Sequence, residues 1–117
     1  MSEKIEQFQE FRLRMNERIL SSGNKEIQRF FALDKNAYME GELSAETKEL
    51  LGLAASLVLR CNDCVTYHLL RCVETGLTDG QLYEAFNISL VVGGSIVIPH
   101  LRKAVDMLAE IRSSVSQ

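Results

Sequence analysis

Apolar residues in the first twenty positions recur every three or four steps, at Ile5, Phe8, Phe11, Met15 and Ile19, with mostly charged and polar residues between them. That spacing gathers them on one face and predicts an amphipathic helix over residues 3 to about 22, ended by Gly23. A shorter helical stretch carries Ile27, Phe30 and Phe31. Residues 33–41, with Asn36 and turn-prone ends, read as a connection. Ser44 then fits an N-cap with Glu46 in the first turn, where a helix dipole favours negative charge. The helix it opens, residues 45–59, is apolar almost all round, which predicts the central and most buried element.

A fourth helix is expected over residues 62–75, with Gly76 supplying the left-handed position that ends it. Thr78 and Gln81 have the spacing of a capping box, and Leu77 and Leu82 that of a hydrophobic staple, so the next helix start is the best marked in the chain. This helix should run to about residue 92 and break at Gly93-Gly94. A last helix presents Val97, Leu101, Ala104, Val105, Leu108 and Ile111, with Pro99 in its first turn, where a missing N–H costs nothing. The pattern predicts an all-α, single-domain bundle of about six helices spanning residues 1–117.

Composition narrows the class. With 117 residues there is room for one core, and roughly 60 to 70% of the unfolded surface should be buried without a disulfide framework. A net charge of −3 with interleaved signs offers no basic stripe for phosphates, so nucleic acid is not an expected partner. The charged N-terminal residues lack the apolar stretch of a signal peptide, and the longest apolar run is about half the roughly 20 residues a span requires. The expectation is a cytoplasmic protein with no membrane partner.

Chemistry concentrates in Cys61-Asn62-Asp63-Cys64-Val65-Thr66-Tyr67-His68. A C-x2-C pair in a small reduced-compartment chain is redox machinery or a metal site. If Asn62 caps the helix, Cys64 falls at the second helical position. There the unpaired N–H groups favour a thiolate, and His68, four residues on, lies back over it. Cys61 would stand outside the helix, and Asp63 would oppose ionisation of both thiols. A four-ligand zinc site with Cys72 fails on reach: Cys64 and Cys72 are about 12 Å apart along one helix, against about 4 Å between tetrahedral ligands. A three-ligand site stays open, as does the reading of ordinary core cysteines with a satisfied histidine. Cys72 reads as a core residue, and His100 as a partly buried residue at a helix start. Nothing in the sequence asks for a cofactor.

The stretch Glu49-Leu50-Leu51-Gly52-Leu53-Ala54-Ala55-Ser56-Leu57, the Cys61-x-x-Cys64-x-x-x-His68 run, Gly76 with its capped helix, and Gly93-Gly94 together resemble the alkyl hydroperoxidase D-like branch of the carboxymuconolactone decarboxylase family. The resemblance covers about residues 42–112 and leaves an N-terminal helical extension over residues 1–41. It implies an active site of Glu49, Cys61, Cys64 and His68, in which Cys64 becomes a sulfenic acid and Cys61 resolves it as a disulfide. It also implies a peroxide or disulfide substrate, a protein or small-molecule thiol as electron donor, and a homo-oligomer, trimeric or hexameric. Without the resemblance, Glu49 would read as a helix-surface carboxylate beside Lys48. One position departs from it: the best-known peroxidase members often carry histidine where this chain has Asp63. The decarboxylases of the superfamily lack the cysteine pair, which disfavours lactone decarboxylation. The remaining alternative is a non-catalytic helical oligomer whose thiols sense redox state or hold a metal.

Overall fold

A computed structural model describes residues 2–115 and is all α-helical. Six helices follow in order: α1 (Glu3–Leu20), α2 (Lys25–Ala37), α3 (Ala45–Val58), α4 (Asn62–Glu74), α5 (Asp79–Gly93) and α6 (Ile98–Val115), with one 3-10 turn (Ser95–Val97) before α6. Helix α3 packs between α4 and α5, α4 also packs on α6, and α1 lies against α2 and α6. The core they enclose includes Leu53 and Leu57 of α3, Leu69 and Cys72 of α4, Leu82 and Phe86 of α5, and Leu108 and Ile111 of α6. Burying each of the large side chains contributes about 1.5–3 kcal/mol, which the isolated helices could not recover in water.

The predicted caps form. Ser44 accepts from the Thr47 N–H, and Thr78 and Gln81 close the capping box at the start of α5. Gly76 takes φ 89°, and the N–H groups of Gly76 and Leu77 donate to the carbonyls of Val73 and Cys72, a left-handed termination that closes α4. The same device ends α3 without glycine. Arg60 has φ 62°, its N–H donates to Leu57 O, and the Cys61 N–H donates to Ser56 O. This tight reversal turns the chain from α3 into α4 within three residues. It thereby brings residues twelve and more positions before Cys61 alongside α4.

Three expectations change. Helix α2 continues through residues 33–37, read from the sequence as connection, so the connection begins at Tyr38, its C-cap. Asn36 is accommodated inside the helix because the neighbouring Ala32, Leu33 and Lys35 are good helix formers. Helix α3 is central but not the most covered: Leu51 and Leu59 face outward, while α4 buries Val65, Thr66, His68, Leu69 and Cys72. The neighbours of α3 are α4 and α5, and the positions turned away from both stay exposed. On α1, only Ile5 of the predicted apolar face is fully buried, and Phe11 is more than half exposed. The N-terminal end of α1 is tied to α6 by Ser2 Oγ donating to Glu110 Oε2 at 2.6 Å.

The reversal at Arg60 yields a stability prediction. A non-glycine residue in the left-handed region costs about 1–2 kcal/mol, partly offset by the greater freedom glycine has in the unfolded chain. Arg60 is exposed and its side chain carries no part of the core. Arg60→Gly is therefore expected to stabilise the protein by about 0.5–1 kcal/mol, raising Tm by about 2–5 °C in thermal unfolding. A lower Tm would mean that the arginine side chain contributes more than the backbone strain costs.

Candidate functional site

Helix α4 starts one residue earlier than the sequence suggests. Its N-cap is Cys61, whose Sγ accepts the Cys64 N–H at 3.3 Å; Asn62, expected to cap, is the first helical residue and Cys64 the third. Asn62 is drawn away by His100 of α6, whose Nδ1 and the Asn62 Oδ1 lie 2.9 Å apart. Cys61 and Cys64 are joined as a disulfide, with their Cα atoms 5.3 Å apart. The cap changes the electrostatics: the unpaired N–H at the helix start points at Cys61 Sγ, so the sulfur expected to lie outside the helix field is within it. The two thiols still differ in access. Cys64 is exposed and Cys61 is half-buried.

His68 lies one turn along α4 from Cys64 and is only 7% exposed. Its Nδ1 is 2.9 Å from Glu49 Oε2, and its Nε2 is 3.3 Å from the Tyr38 hydroxyl. An ionised carboxylate only accepts, so in the neutral ring Nδ1–H donates to Glu49 and the Nε2 lone pair accepts the Tyr38 O–H. Glu49 is 3% exposed, and its other oxygen stands 3.7 Å from Arg71 Nε. A buried carboxylate is tolerated only with such partners. The surface reading of Glu49 is thus corrected: α3 turns this position inward, and the reversal at residues 59–61 places it opposite His68.

Gly52 makes room for this arrangement. A Cβ at that position would lie 2.6 Å from His68 Cε1 and 2.7 Å from the Tyr38 hydroxyl, closer than real contacts allow. Burial, with the negative charges of Asp34 and Glu49 and the Tyr67 phenol adding to it, pushes the Tyr38 phenol above its ordinary range and keeps it an O–H donor. Beside it the Arg12 guanidinium lies 3.9 Å over the Tyr67 ring, fixing α1 across the opening.

These side chains border a pocket of about 360 Å³. Cys64, Tyr38, Tyr67 and His68 line one side, and Phe8 and Phe11 of α1 line the other. The site therefore joins an accessible sulfur, a histidine whose tautomer is held by a buried carboxylate, and a largely apolar wall. Cys72, two turns beyond Cys64, is fully buried, and burial above all pushes its thiol up to about 12, with Glu49 adding and Arg71 opposing. Among the described residues, no group of three or more His, Cys, Asp and Glu side chains is placed to hold a metal ion.

Of the residues singled out from the sequence, Cys61 with Cys64 and Glu49 with His68 meet as two bonded pairs, and Cys64 and His68 share the pocket. Tyr38 and Arg71 were missed. Tyr38 falls in a segment read as a connection, where a tyrosine carries no positional signal. Arg71 reads as the basic residue of a helix's last turn, which it also is.

Comparison with known proteins places this geometry in a wider set. A Thermotoga maritima protein of known crystal structure is 54% identical and superposes with a TM-score of 0.91 over 94% of this chain and 96% of its own. A carboxymuconolactone decarboxylase family protein from Legionella pneumophila shares the fold, with a TM-score of 0.84 over 94% of this chain and 98% of that one at 21% identity. A protein of the cox locus of Paracoccus denitrificans, itself uncharacterized, is 30% identical over 82 residues, 70% of this chain and 74% of its own length. The sequence profile of the carboxymuconolactone decarboxylase family matches residues 26–107, which takes in α2 and Tyr38 as well as the cysteine pair. The chain belongs to the carboxymuconolactone decarboxylase family.

Proposed function

We propose that the protein is an oxidoreductase that cycles Cys61 and Cys64 between dithiol and disulfide, reducing a peroxide at the expense of a thiol donor. The observation that carries this reading is the exposed Cys64 in a pocket with the His68–Glu49 pair, its sulfur within bonding distance of a second, more sheltered cysteine. The Thermotoga maritima relative adds support, being described as a family protein with a candidate part in an antioxidative response.

The steps follow from access and charge. The Cys64 thiolate attacks the terminal peroxide oxygen, the O–O bond breaks, and the alkoxide leaves as an alcohol after taking up the thiol's proton. Cys64 is then a sulfenic acid. Cys61, whose sulfur receives the Cys64 N–H and is thereby stabilised as a thiolate, attacks the Cys64 sulfur and displaces hydroxide, which departs as water with the proton the Cys61 thiol gave up as the disulfide closes. One thiol of a donor dithiol attacks the exposed Cys64 sulfur and Cys61 leaves as the stabilised thiolate; the donor's second thiol then displaces Cys64 from the mixed disulfide, so the donor ends as a disulfide and both cysteines are reduced. Glu49 holds His68 in one tautomer and supports the imidazolium when the ring takes up a proton.

Assembly belongs to the same reading. Val91 is 84% exposed, and Leu59, Ile88, Val92 and Ile96 are also exposed, more apolar surface than a monomer usually leaves in water. The proposal is a homo-oligomer, a trimer or a hexamer. Light scattering at micromolar concentration should give a mass several times 13.2 kDa; a value near the monomer mass would reject it.

The two cysteines should behave unequally. Cys64→Ser is expected to lose reaction with an organic hydroperoxide, whereas Cys61→Ser should react once and stop at a sulfenic acid on Cys64. Trapping with a sulfenic-acid probe and peptide mass spectrometry decides this, and an adduct on Cys61 in the Cys64→Ser variant would reverse the assignment. His68→Gln should slow peroxide consumption by about 10²–10⁴-fold near neutral pH. If the thiols oxidise but no turnover follows with any dithiol donor, the protein senses redox state instead.

Cys72 offers an internal control. With its thiol pushed up to about 12 and fully buried, it should resist iodoacetamide in the reduced, folded protein at pH 8. Two cysteines should alkylate before unfolding and the third only in denaturant. Labelling of all three at similar rates would show that the core opens around α4.

A further inference from the structure

Both nitrogens of His68 are engaged: Nδ1 by Glu49 and Nε2 by the Tyr38 hydroxyl, 3.3 Å away. The imidazole borders the pocket, but its Nε2 is taken up by the Tyr38 hydroxyl, and Tyr38 lines the same cavity as Cys64. The position of this hydroxyl is specific. Helix α2 buries none of its own residues, yet its C-cap turns Tyr38 inward, onto the histidine, and position 52 has no side chain where one would push between the two.

We propose that Tyr38 carries the proton between His68 Nε2 and the reacting atoms beside Cys64, so that Glu49, His68 and Tyr38 form one relay ending in the pocket. The proposal rests on the dithiol cycle argued above and adds the group that moves its proton. The Cys64 thiol gives its proton to the Tyr38 oxygen as the tyrosine's own proton passes to Nε2, leaving a thiolate and an imidazolium held by Glu49. After the thiolate attacks and the O–O bond breaks, the alkoxide takes a proton from the same hydroxyl, which is restored from Nε2. Tyrosine and histidine end as they began, Cys64 has become a sulfenic acid, and one alcohol has formed. Once Nε2 carries a proton and donates to the Tyr38 oxygen, the hydroxyl's own proton is available to the Cys64 thiolate.

Several charged and titratable groups face this hydroxyl. Asp34 lies on its own helix, Glu49 on α3, and Tyr67 on α4 beside His68, all named above as acting on the phenol. Arg12 of α1 and Arg71 of α4 border the neighbouring cavity with Tyr38. Burial above all, with these three groups adding to it, raises the phenol further above the neutral range, where it stays protonated as a relay of this kind requires.

The test compares Tyr38→Phe, His68→Gln and the double variant with the parent protein. Two readouts are taken: single-turnover reaction with tert-butyl hydroperoxide, and the pH dependence of Cys64 alkylation by iodoacetamide after reduction, read by peptide mass spectrometry. Tyr38→Phe should react with the hydroperoxide at least ~10-fold more slowly at pH 7. Its alkylation midpoint should move upward by about one to two pH units, the effect of losing a hydrogen bond to a charged group. The double variant should be no slower than His68→Gln alone, because the two groups act in series. An unchanged alkylation midpoint in Tyr38→Phe, or additive losses in the double variant, overturns the relay. If Tyr38→Phe does not fold, Gly52→Ala, whose methyl group would push the Tyr38 hydroxyl and the His68 ring apart while keeping both residues, should reproduce its phenotype. Should the parent protein fail to consume the hydroperoxide, the peroxidase reading falls, and the alkylation midpoints still decide the role of Tyr38.

Discussion

The site depends on one buried hydrogen bond, between the Glu49 carboxylate of α3 and the His68 imidazole of α4. It joins two helices through groups that would each be costly to bury alone, and either one without the other leaves an unpaired polar atom in the core. The bond fixes which nitrogen of His68 carries the proton, and hence that the other faces Tyr38. It exists because the chain reverses at Arg60, at the cost of a left-handed residue that is not glycine, and because Gly52 leaves space beside the ring. Backbone strain at one point and a missing side chain at another are what the geometry of the pair rests on.

The three cysteines show how far environment governs the chemistry of one residue type. Cys61 caps α4 and receives a backbone N–H, Cys64 opens onto a pocket, and Cys72 is enclosed by core side chains that push its thiol far above neutrality. The first two sit where helix geometry supplies unpaired N–H groups, and the third lies two turns on, where every N–H is already used. An exposed sulfur is thus bonded to a more sheltered one that receives a backbone N–H.

The N-terminal helices bring something other than core. Little of α1 and none of α2 is fully buried, so these helices contribute modestly to the hydrophobic interior. What they deliver lies at the pocket: Phe8 and Phe11 form its apolar wall, Arg12 stacks over Tyr67, and Tyr38 meets His68. The segment is weakly held by packing and placed by a few side chains.

Much of the fold was legible from residue order because it is written in local rules. The period of the apolar residues, the capping box at Thr78 and Gln81, and the glycine after α4 act within one turn, so α-helical class, helix number and most boundaries follow from sequence alone. The pair Cys61 and Cys64 and the neighbouring His68 were legible for the same reason, since four residues of helix bring them together. The position of Glu49 was not: twelve residues before Cys61, it is surface or core depending on how tightly α3 turns into α4. That turn hinges on a left-handed arginine no propensity would have chosen. Tyr38 was hidden further, because its helix ends where the sequence suggested connection, and its partner His68 is thirty residues away. The cap of α4 shifted from Asn62 to Cys61 because His100, on another helix, holds the asparagine side chain. Local periodicity determined the elements and the dithiol; long-range hydrogen bonds and the space left by Gly52 decided which groups stand around it.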